Sequence, residues 1–392
     1  MAAVVLAKGR DRRLKAGHLW VYAGEIAAVD EGAAPGDVVE VRDHRRRFLG
    51  RGTYNPASNI TVRLLTREPD EAVDRAFFER RIDKALSYRD RVFPGETTLR
   101  LVFGEGDYLP GLVADRYGSC LCLQIGTLGM ERFRPVLLAI LRERLDPAGI
   151  YERSDLASRA HEGLPPAEGV IEGKVPEVIP VTLDGLEFRV RLAQAQKTGL
   201  FLDQRLNRRI LLPLSGGRTV LDAFCNTGGF GLYALRGGAR SVLGVDISPS
   251  CTQLAREQAG ANGFQDRAEF LEANAFDFLH SVDREGRRFG IVVLDPPAFT
   301  KSARSVEGAR RGYKEINLRA LKILRPGGCL VTCSCSYHIH EEDFEAILED
   351  AAVDARATVT VVEKRRQGRD HPVVLGVPET YYLKCFVLRK LG

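Results

Sequence analysis

No uninterrupted apolar run in the chain approaches the roughly 20 residues that a bilayer-spanning helix needs. The first residues, Met1-Ala-Ala-Val-Val-Leu-Ala-Lys8-Gly-Arg10, hold a very short apolar stretch with charge after it. A secretory leader has the opposite order and a longer apolar segment, so a soluble cytoplasmic protein is expected. Internal repeats and low-complexity tracts are absent, which removes solenoids and disordered arrays. The eight cysteines are scattered, and a disulfide framework is not expected in a large intracellular chain. Two pairs stand one residue apart, Cys120/Cys122 and Cys333/Cys335, the second with His338 and His340 nearby. Neither pair has the two-residue gap of a zinc knuckle, so no metal site is expected. Cys225, Cys251, Cys329 and Cys385 lie in apolar surroundings and read as small core residues.

What is present is a 392-residue chain, 44% apolar, long enough for two or three domains with cores of their own. Its net charge of +5 is unevenly spread. Residues 1–67 hold twelve Lys/Arg against seven Asp/Glu, so the whole excess lies there and the remainder is formally neutral. The cations cluster at Lys8, Arg10, Arg12, Arg13 and Lys15, and at Arg42, Arg45, Arg46, Arg47 and Arg51. A basic module of this kind suits a polyanion, against the plainer reading of a solvated basic face.

Three regions differ in pattern. Short strand-like runs at 20–22, 37–41, 48–54 and 60–65, punctuated by Gly and Pro, predict a small β-rich domain over 1–70. Residues 72–190 read as a small α+β domain. It has helices over 72–91 and 131–144, strands near 99–103, 112–114, 119–125 and 187–192, and a loop or hairpin over 159–180. From 195 to 392, strands at 219–224, 241–246, 268–271, 291–294, 329–335 and 381–389 alternate with helices at 230–236, 249–261 and 313–324. That alternation predicts an open, mainly parallel sheet covered by helices on both faces.

The sharpest local signal is Asp222-Ala-Phe224-Cys225-Asn226-Thr227-Gly228-Gly229: a strand, a tight turn of small residues, then a helix. Glycine lets a ligand approach the backbone, and a helix start offers free N–H groups. The glycine spacing of a dinucleotide fold is absent. An acidic residue ahead of the turn suits a cationic amino-acid end better than a pyrophosphate. Asp246, followed by Ile247 and Ser248, ends the next strand, where a carboxylate accepts ribose hydroxyls from either kind of cofactor. Asn274 with Ala275 follows the third strand and is a candidate for the adenine edge, or a simple turn. Asp295-Pro296-Pro297 ends the fourth, at the sheet edge where ligands bind.

Together, Asp222-x-Phe224-x-x-x-Gly228-Gly229, Asp246, Asp295-Pro-Pro297, Thr332-Cys-Ser-Cys335-Ser336 and Phe201-Leu-Asp203-Gln-Arg205 resemble the class I methyltransferase fold. The closest resemblance is to the bacterial 23S rRNA large-subunit methyltransferase I family, which makes 5-methylcytosine, and it spans essentially the full length. It implies a Rossmann-like domain after a PUA-like RNA-binding domain and a central α+β domain. The cofactor it implies is S-adenosylmethionine, leaving as S-adenosylhomocysteine. The partner it implies is 23S rRNA or a large-subunit assembly intermediate; monomer and homodimer both stay open. By this resemblance Thr198, Phe201, Asp203 and Arg205 lie near the cofactor. The resemblance implies Cys335 as the nucleophile, with Cys333 as second candidate, and Asp295 as the group that holds the cytosine. The base for the last proton is unassigned, because no cysteine follows the fourth-strand proline. Lys301, Arg304, Arg310, Arg311 and Lys314, and a cluster at 364–372, are candidate phosphate contacts. Phe299, Tyr313 and Tyr337 are candidates to stack on a flipped base. The rivals are an RNA methyltransferase acting on an amino group or ring nitrogen, and a non-catalytic RNA-binding assembly factor.

Overall fold

The computed structural model describes residues 1–195, 197–300 and 303–391, which form two compact units. The first comprises residues 1–181, 190–202 and 369–380; the second comprises 182–189, 203–368 and 381–392. Lys301 lies outside the described residues.

In the first unit the N-terminal residues build a six-stranded sheet in the order Trp20–Tyr22, Ile60–Thr66, Phe48–Tyr54, Val38–Arg42, Ala3–Leu6, Ile26–Val29. Val4, Leu6, Val21, Val39, Val41, Val62 and Leu64 alternate into its core. The strands at 3–6 and 26–29 were not expected; each is four residues long, too short for a periodic signal. A five-stranded sheet follows in the order Ala167–Gly173, Gly149–Ser154, Cys120–Ile125, Leu112–Tyr117, Thr98–Phe103. Its edge strand, Ala167–Gly173, falls where a loop or hairpin was expected, because most of it faces solvent and carries little apolar alternation. The helix Arg75–Val92 starts where Asp74 accepts the Phe77 N–H at 2.9 Å, and buries Phe77, Phe78, Ile82 and Ala85. The single helix expected over 131–144 is two, Leu128–Arg132 and Arg134–Leu145, with Pro135 in the first turn of the second.

The second unit carries a seven-stranded sheet. Its strands are β1 (Thr219–Ala223), β2 (Ser241–Asp246), β3 (Ala268–Glu272), β4 (Phe289–Leu294), β5 (Leu324–Ser334), β6 (Val359–Arg366) and β7 (Lys384–Lys390). The order is β3-β2-β1-β4-β5-β7-β6. β3 through β5 pair in parallel, and β7 runs antiparallel to both β5 and β6. The helices are α1 (Gly229–Arg236), α2 (Pro249–Ala261), α3 (Ala275–Arg284), α4 (Val306–Ile323) and α5 (Glu341–Ala355). Covered on both faces, β4 is apolar along nearly its whole length, and Ile291 to Leu294 are fully buried. Strand β6 and helices α3 and α5 add to the elements read from the sequence, and α4 begins seven residues earlier than expected.

Candidate active site

The parallel strands β1, β2 and β4 end on one edge of the sheet, and each brings a carboxylate there: Asp222, Asp246 and Asp295. Asp222 is completely buried. Its Oδ2 accepts the Gly231 N–H at 2.9 Å, while Oδ1 has no hydrogen-bond partner among the described residues. Burial pushes its carboxyl up to about 7; the Gly231 N–H and Arg208 oppose the rise, and Asp295 and Asp246 add to it.

The turn after β1 reverses the chain in few residues. Phe224 and Asn226 take positive φ values of 65° and 47°, and Gly228 one of 80°. Non-glycine residues in that region store strain, which is common in loops that clamp ligands. A side chain on Gly228 would also press on Ala255 and Phe270 at about 3.1 Å, and one on Gly229 would meet Arg208 Nε at 2.7 Å. Cys225 is buried, with its thiol against Gly244, and its N–H bonds the Val245 carbonyl. Gln258 donates to the Thr227 carbonyl at 2.5 Å. Asp246 is half-exposed and accepts the N–H groups of Asn226 at 2.8 Å and Ser248 at 2.9 Å, one on each oxygen. Ile247 beside it is 69% exposed, an unusual place for a large apolar side chain.

Two expected cofactor residues have helix-capping work. The Ser248 hydroxyl accepts the Cys251 N–H at the start of α2, and Asn274 Oδ1 accepts the Phe276 N–H at 2.9 Å at the start of α3, ahead of buried Ala275. Asn274 is exposed, and its side-chain NH2 is not used by the cap.

The segment expected to fold over the cofactor divides between the units. Thr198 and Phe201 belong to the first, where the Thr198 hydroxyl donates to Asp115 at 2.5 Å and accepts from Arg100 at 3.1 Å. Asp203 and Arg205 belong to the second. Asp203 accepts the Tyr382 hydroxyl at 2.6 Å. Arg205 is buried on Asp184, which also takes Arg209 and the Tyr233 hydroxyl. Burial opposes ionisation of Asp184, but Arg209, Tyr233 and Arg205 together hold it well below the usual carboxylate range.

Three residues escaped the sequence reading. Gln204 Nε2 donates to Asp295 Oδ1 at 2.8 Å, Asn207 Nδ2 to Gln204 Oε1 at 2.6 Å, and Arg365 Nε to Asn207 Oδ1 at 3.2 Å. This relay fixes the Asp295 carboxylate. Arg208 is buried over the start of α1, and its Nε has no hydrogen-bond partner among the described residues. The available signal was position: Gln204 lies inside the Asp203–Arg205 motif, and Asn207 and Arg208 follow it on the same short helical stretch.

Strand β5 ends at Ser334, so Cys335 leaves the sheet. Its thiol is half-exposed and donates to the Pro296 carbonyl at 3.8 Å, next to Asp295. Cys333 stays in the sheet, fully buried opposite Cys385. A hydrogen bond with Cys385 and burial both push the Cys333 thiol far up, which leaves it inert.

Tyr313 corrects one expectation: it is fully buried and unavailable to stack on a base. It packs on Phe299 with ring centres 4.5 Å apart and holds the Ser336 hydroxyl at 2.9 Å. Arg310 pairs with Asp343, Lys314 with Asp354 and Lys364 with Glu345, so these cations are already partly neutralised. In the N-terminal module Arg13, Arg42, Arg47 and Arg51 are likewise ion-paired, with Glu25, Glu40, Asp43 and Glu40. Lys8, Arg10, Arg12, Arg45 and Arg46 are exposed and have no ion-pair partner among the described residues.

A cavity of about 720 Å³ in the first unit, lined by Trp20, Ile60, Arg63, Phe103 and Glu105 among others, contains none of these groups. Two of its polar pairs are already closed, Arg63 on Glu162 at 2.8 Å and the Trp20 indole on Glu105 at 3.0 Å. The chemistry lies at the sheet edge instead.

The sheet edge fits S-adenosylmethionine on its own evidence. An orphaned carboxylate oxygen of Asp222 and an orphaned guanidinium nitrogen of Arg208 suit the two ends of an amino acid, and three carboxylates suit a sulfonium. Asp246 and exposed Ile247 offer a polar and an apolar surface for a nucleoside.

The chain matches a PUA-like domain over residues 4–67 and an S-adenosylmethionine-dependent methyltransferase over 165–388. It is 41% identical over 392 residues to the ribosomal RNA large subunit methyltransferase I of Shewanella denitrificans, and 39% identical over 390 residues to that of Klebsiella pneumoniae. In each case 98% of both chains is covered. Its fold is similar to that of a putative SAM-dependent methyltransferase from Streptococcus mutans, with a TM-score of 0.85, 21% identity, and 99% of this chain and 100% of that one covered. A putative methyltransferase solved with SAH superposes with a TM-score of 0.86 at 21% identity, covering 99% and 100% of the two chains. The chain therefore belongs to the ribosomal RNA large subunit methyltransferase I family, whose methyl donor is S-adenosylmethionine.

Proposed function

We propose that the chain methylates carbon 5 of a cytosine in large-subunit ribosomal RNA through a covalent adduct at Cys335. The reading rests above all on the half-exposed Cys335 thiol, held on the Pro296 carbonyl beside Asp295. Carbon 5 of cytosine is a poor nucleophile. The Cys335 thiolate adds to carbon 6, forming the S–C6 bond and moving the C5=C6 electron pair onto carbon 5. Asp295, fixed by Gln204, holds ring nitrogen 3 or the amino group and keeps the ring in register. Bound S-adenosylmethionine supplies the electrophilic methyl that carbon 5 takes. Loss of the carbon 5 proton then restores the double bond and expels the thiolate.

Asp246 would accept the ribose hydroxyls, with Ile247 against the adenine and the Asn274 amide at its edge. Asp222 and Arg208 would hold the amino and carboxyl ends over the 224–229 turn. The PUA-like module supplies non-specific affinity for the RNA backbone. The test is an RNA substrate carrying 5-fluorocytidine. Fluorine cannot leave carbon 5 as a proton does, so the adduct accumulates and runs as a protein–RNA band that maps to Cys335. No band from the wild-type chain, with methylation found on a nitrogen, would refute the reading.

A further inference from the structure

Strand β7 begins with a lysine where the sheet interior offers no carboxylate. Lys384 is 2% exposed and sits opposite Ser334, one residue before Cys335. Its Nζ donates to the Ser336 carbonyl at 2.8 Å and to the Tyr382 carbonyl at 2.9 Å. No Asp or Glu lies within ion-pairing distance among the described residues. A buried ammonium held only by neutral carbonyls is costly unless an anion comes close. The carbonyl it grips belongs to the residue after Cys335. The Ser336 hydroxyl in turn meets the Tyr313 hydroxyl at 2.9 Å and accepts the Phe299 N–H at 3.1 Å, so Lys384 closes a clamp on the loop that presents the thiol.

We propose that Lys384 is a positioning residue for Cys335: its ammonium holds the 334–336 loop and is the counter-charge that stabilises the Cys335 thiolate. The proposal rests on Cys335 being the nucleophile. The groups around this corner are Lys384 from β7, exposed Arg366 opposite it on β6, Tyr313 from α4, Asp295 ahead of Pro296, and Asp343 and Glu341 at the start of α5. Burial pushes the Lys384 ammonium down to about 8, while Cys335, Asp343 and Glu341 act the other way. It is thus mostly charged at neutral pH. Tyr313 is pushed up to about 12 by burial and stays neutral. Lys384 is therefore the buried cation of that set. A cation beside a thiol lowers its pKa, and at neutral pH the proton is released to water.

The test reads the thiol directly, without turnover. The full chain is alkylated with iodoacetamide from pH 6 to 10, and modification at Cys335 is followed by peptide mass spectrometry. Lys384→Gln keeps two N–H donors for the carbonyls but removes the charge; Lys384→Arg keeps the charge. The Gln variant is expected to raise the alkylation midpoint by at least one pH unit, a tenfold slower reaction at neutral pH, with the Arg variant staying near wild type. A Gln midpoint equal to wild type, or an Arg midpoint equal to that of Gln, overturns the proposal. Should the Gln variant not fold, Cys335→Ser tests the same coupling from the other side. Loss of the thiolate must lower the Lys384 midpoint read by NMR of 15N-labelled lysine, and an unchanged midpoint overturns the proposal. Full methylation by Cys335→Ala would instead sink the covalent mechanism, a separate outcome from either titration.

Discussion

Replacing Asp222 with Asn should stabilise the protein at high pH while weakening its hold on the cofactor. The carboxyl is fully buried and rises from 3.8 to about 7 in the folded chain. Three units at about 1.4 kcal/mol each make its ionisation cost about 4 kcal/mol of stability above pH 7. Between the two values the folded state binds the extra proton, so wild-type stability falls as pH rises from about 4 to 7 and then levels. The Asn variant has no such slope. Its oxygen can still accept the Gly231 N–H, but its NH2 is buried without a partner, which costs about 1–3 kcal/mol at every pH. The stability difference, Asn minus Asp, is therefore negative by that amount near pH 4 and positive by about 1–3 kcal/mol at pH 8. Urea titrations of the full chain at pH 4, 5, 6, 7 and 8 measure it. Parallel stability curves for the two proteins would refute the reasoning. Calorimetry adds the functional half: S-adenosylmethionine should bind the wild type more tightly as pH rises through about 7, and the Asn variant at least tenfold more weakly at pH 8 with no such rise.

Asp246→Ala should weaken S-adenosylmethionine binding at least tenfold in calorimetry, because charge-assisted bonds to two ribose hydroxyls are lost; unchanged affinity would remove the ribose role. Cys335→Ala should abolish methyl transfer while binding the cofactor normally, whereas Cys333→Ala should keep activity, since its thiol is buried and protonated. A filter-binding titration across salt concentrations should show the Arg45→Ala, Arg46→Ala double variant losing up to about two units of salt slope for RNA. An unchanged slope would make that exposed pair a bystander.

The strand–turn–helix around Asp222 was legible because a parallel strand buried on both faces is continuously apolar and its turn must use small residues. The carboxylates at 222, 246 and 295 followed from where strands end. What was not legible came from pairs distant in sequence. Gln204 and Asp295 meet although 91 residues separate them, and no local spacing announces that. Lys384 falls inside the strand expected over 381–389, and only its antiparallel register with Ser334 brings it beside the Cys335 loop. Tyr313 was a candidate stacking ring, yet it shares the buried face of α4 with Ile316, Asn317, Ala320 and Leu321 at helical spacing. The edge strand Ala167–Gly173 was missed for the opposite reason: exposure leaves it without the alternation that marks a half-buried strand.

Carbon 5 methylation of a cytosine in large-subunit rRNA by way of Cys335 is the step on which the proposed function stands. Nucleoside mass spectrometry of that rRNA, after incubation with S-adenosylmethionine and either the wild-type chain or Cys335→Ala, tests it most directly. 5-Methylcytidine is expected with the wild type and none with the variant. A methyl group on an amino or ring nitrogen, or equal 5-methylcytidine from both proteins, would contradict it.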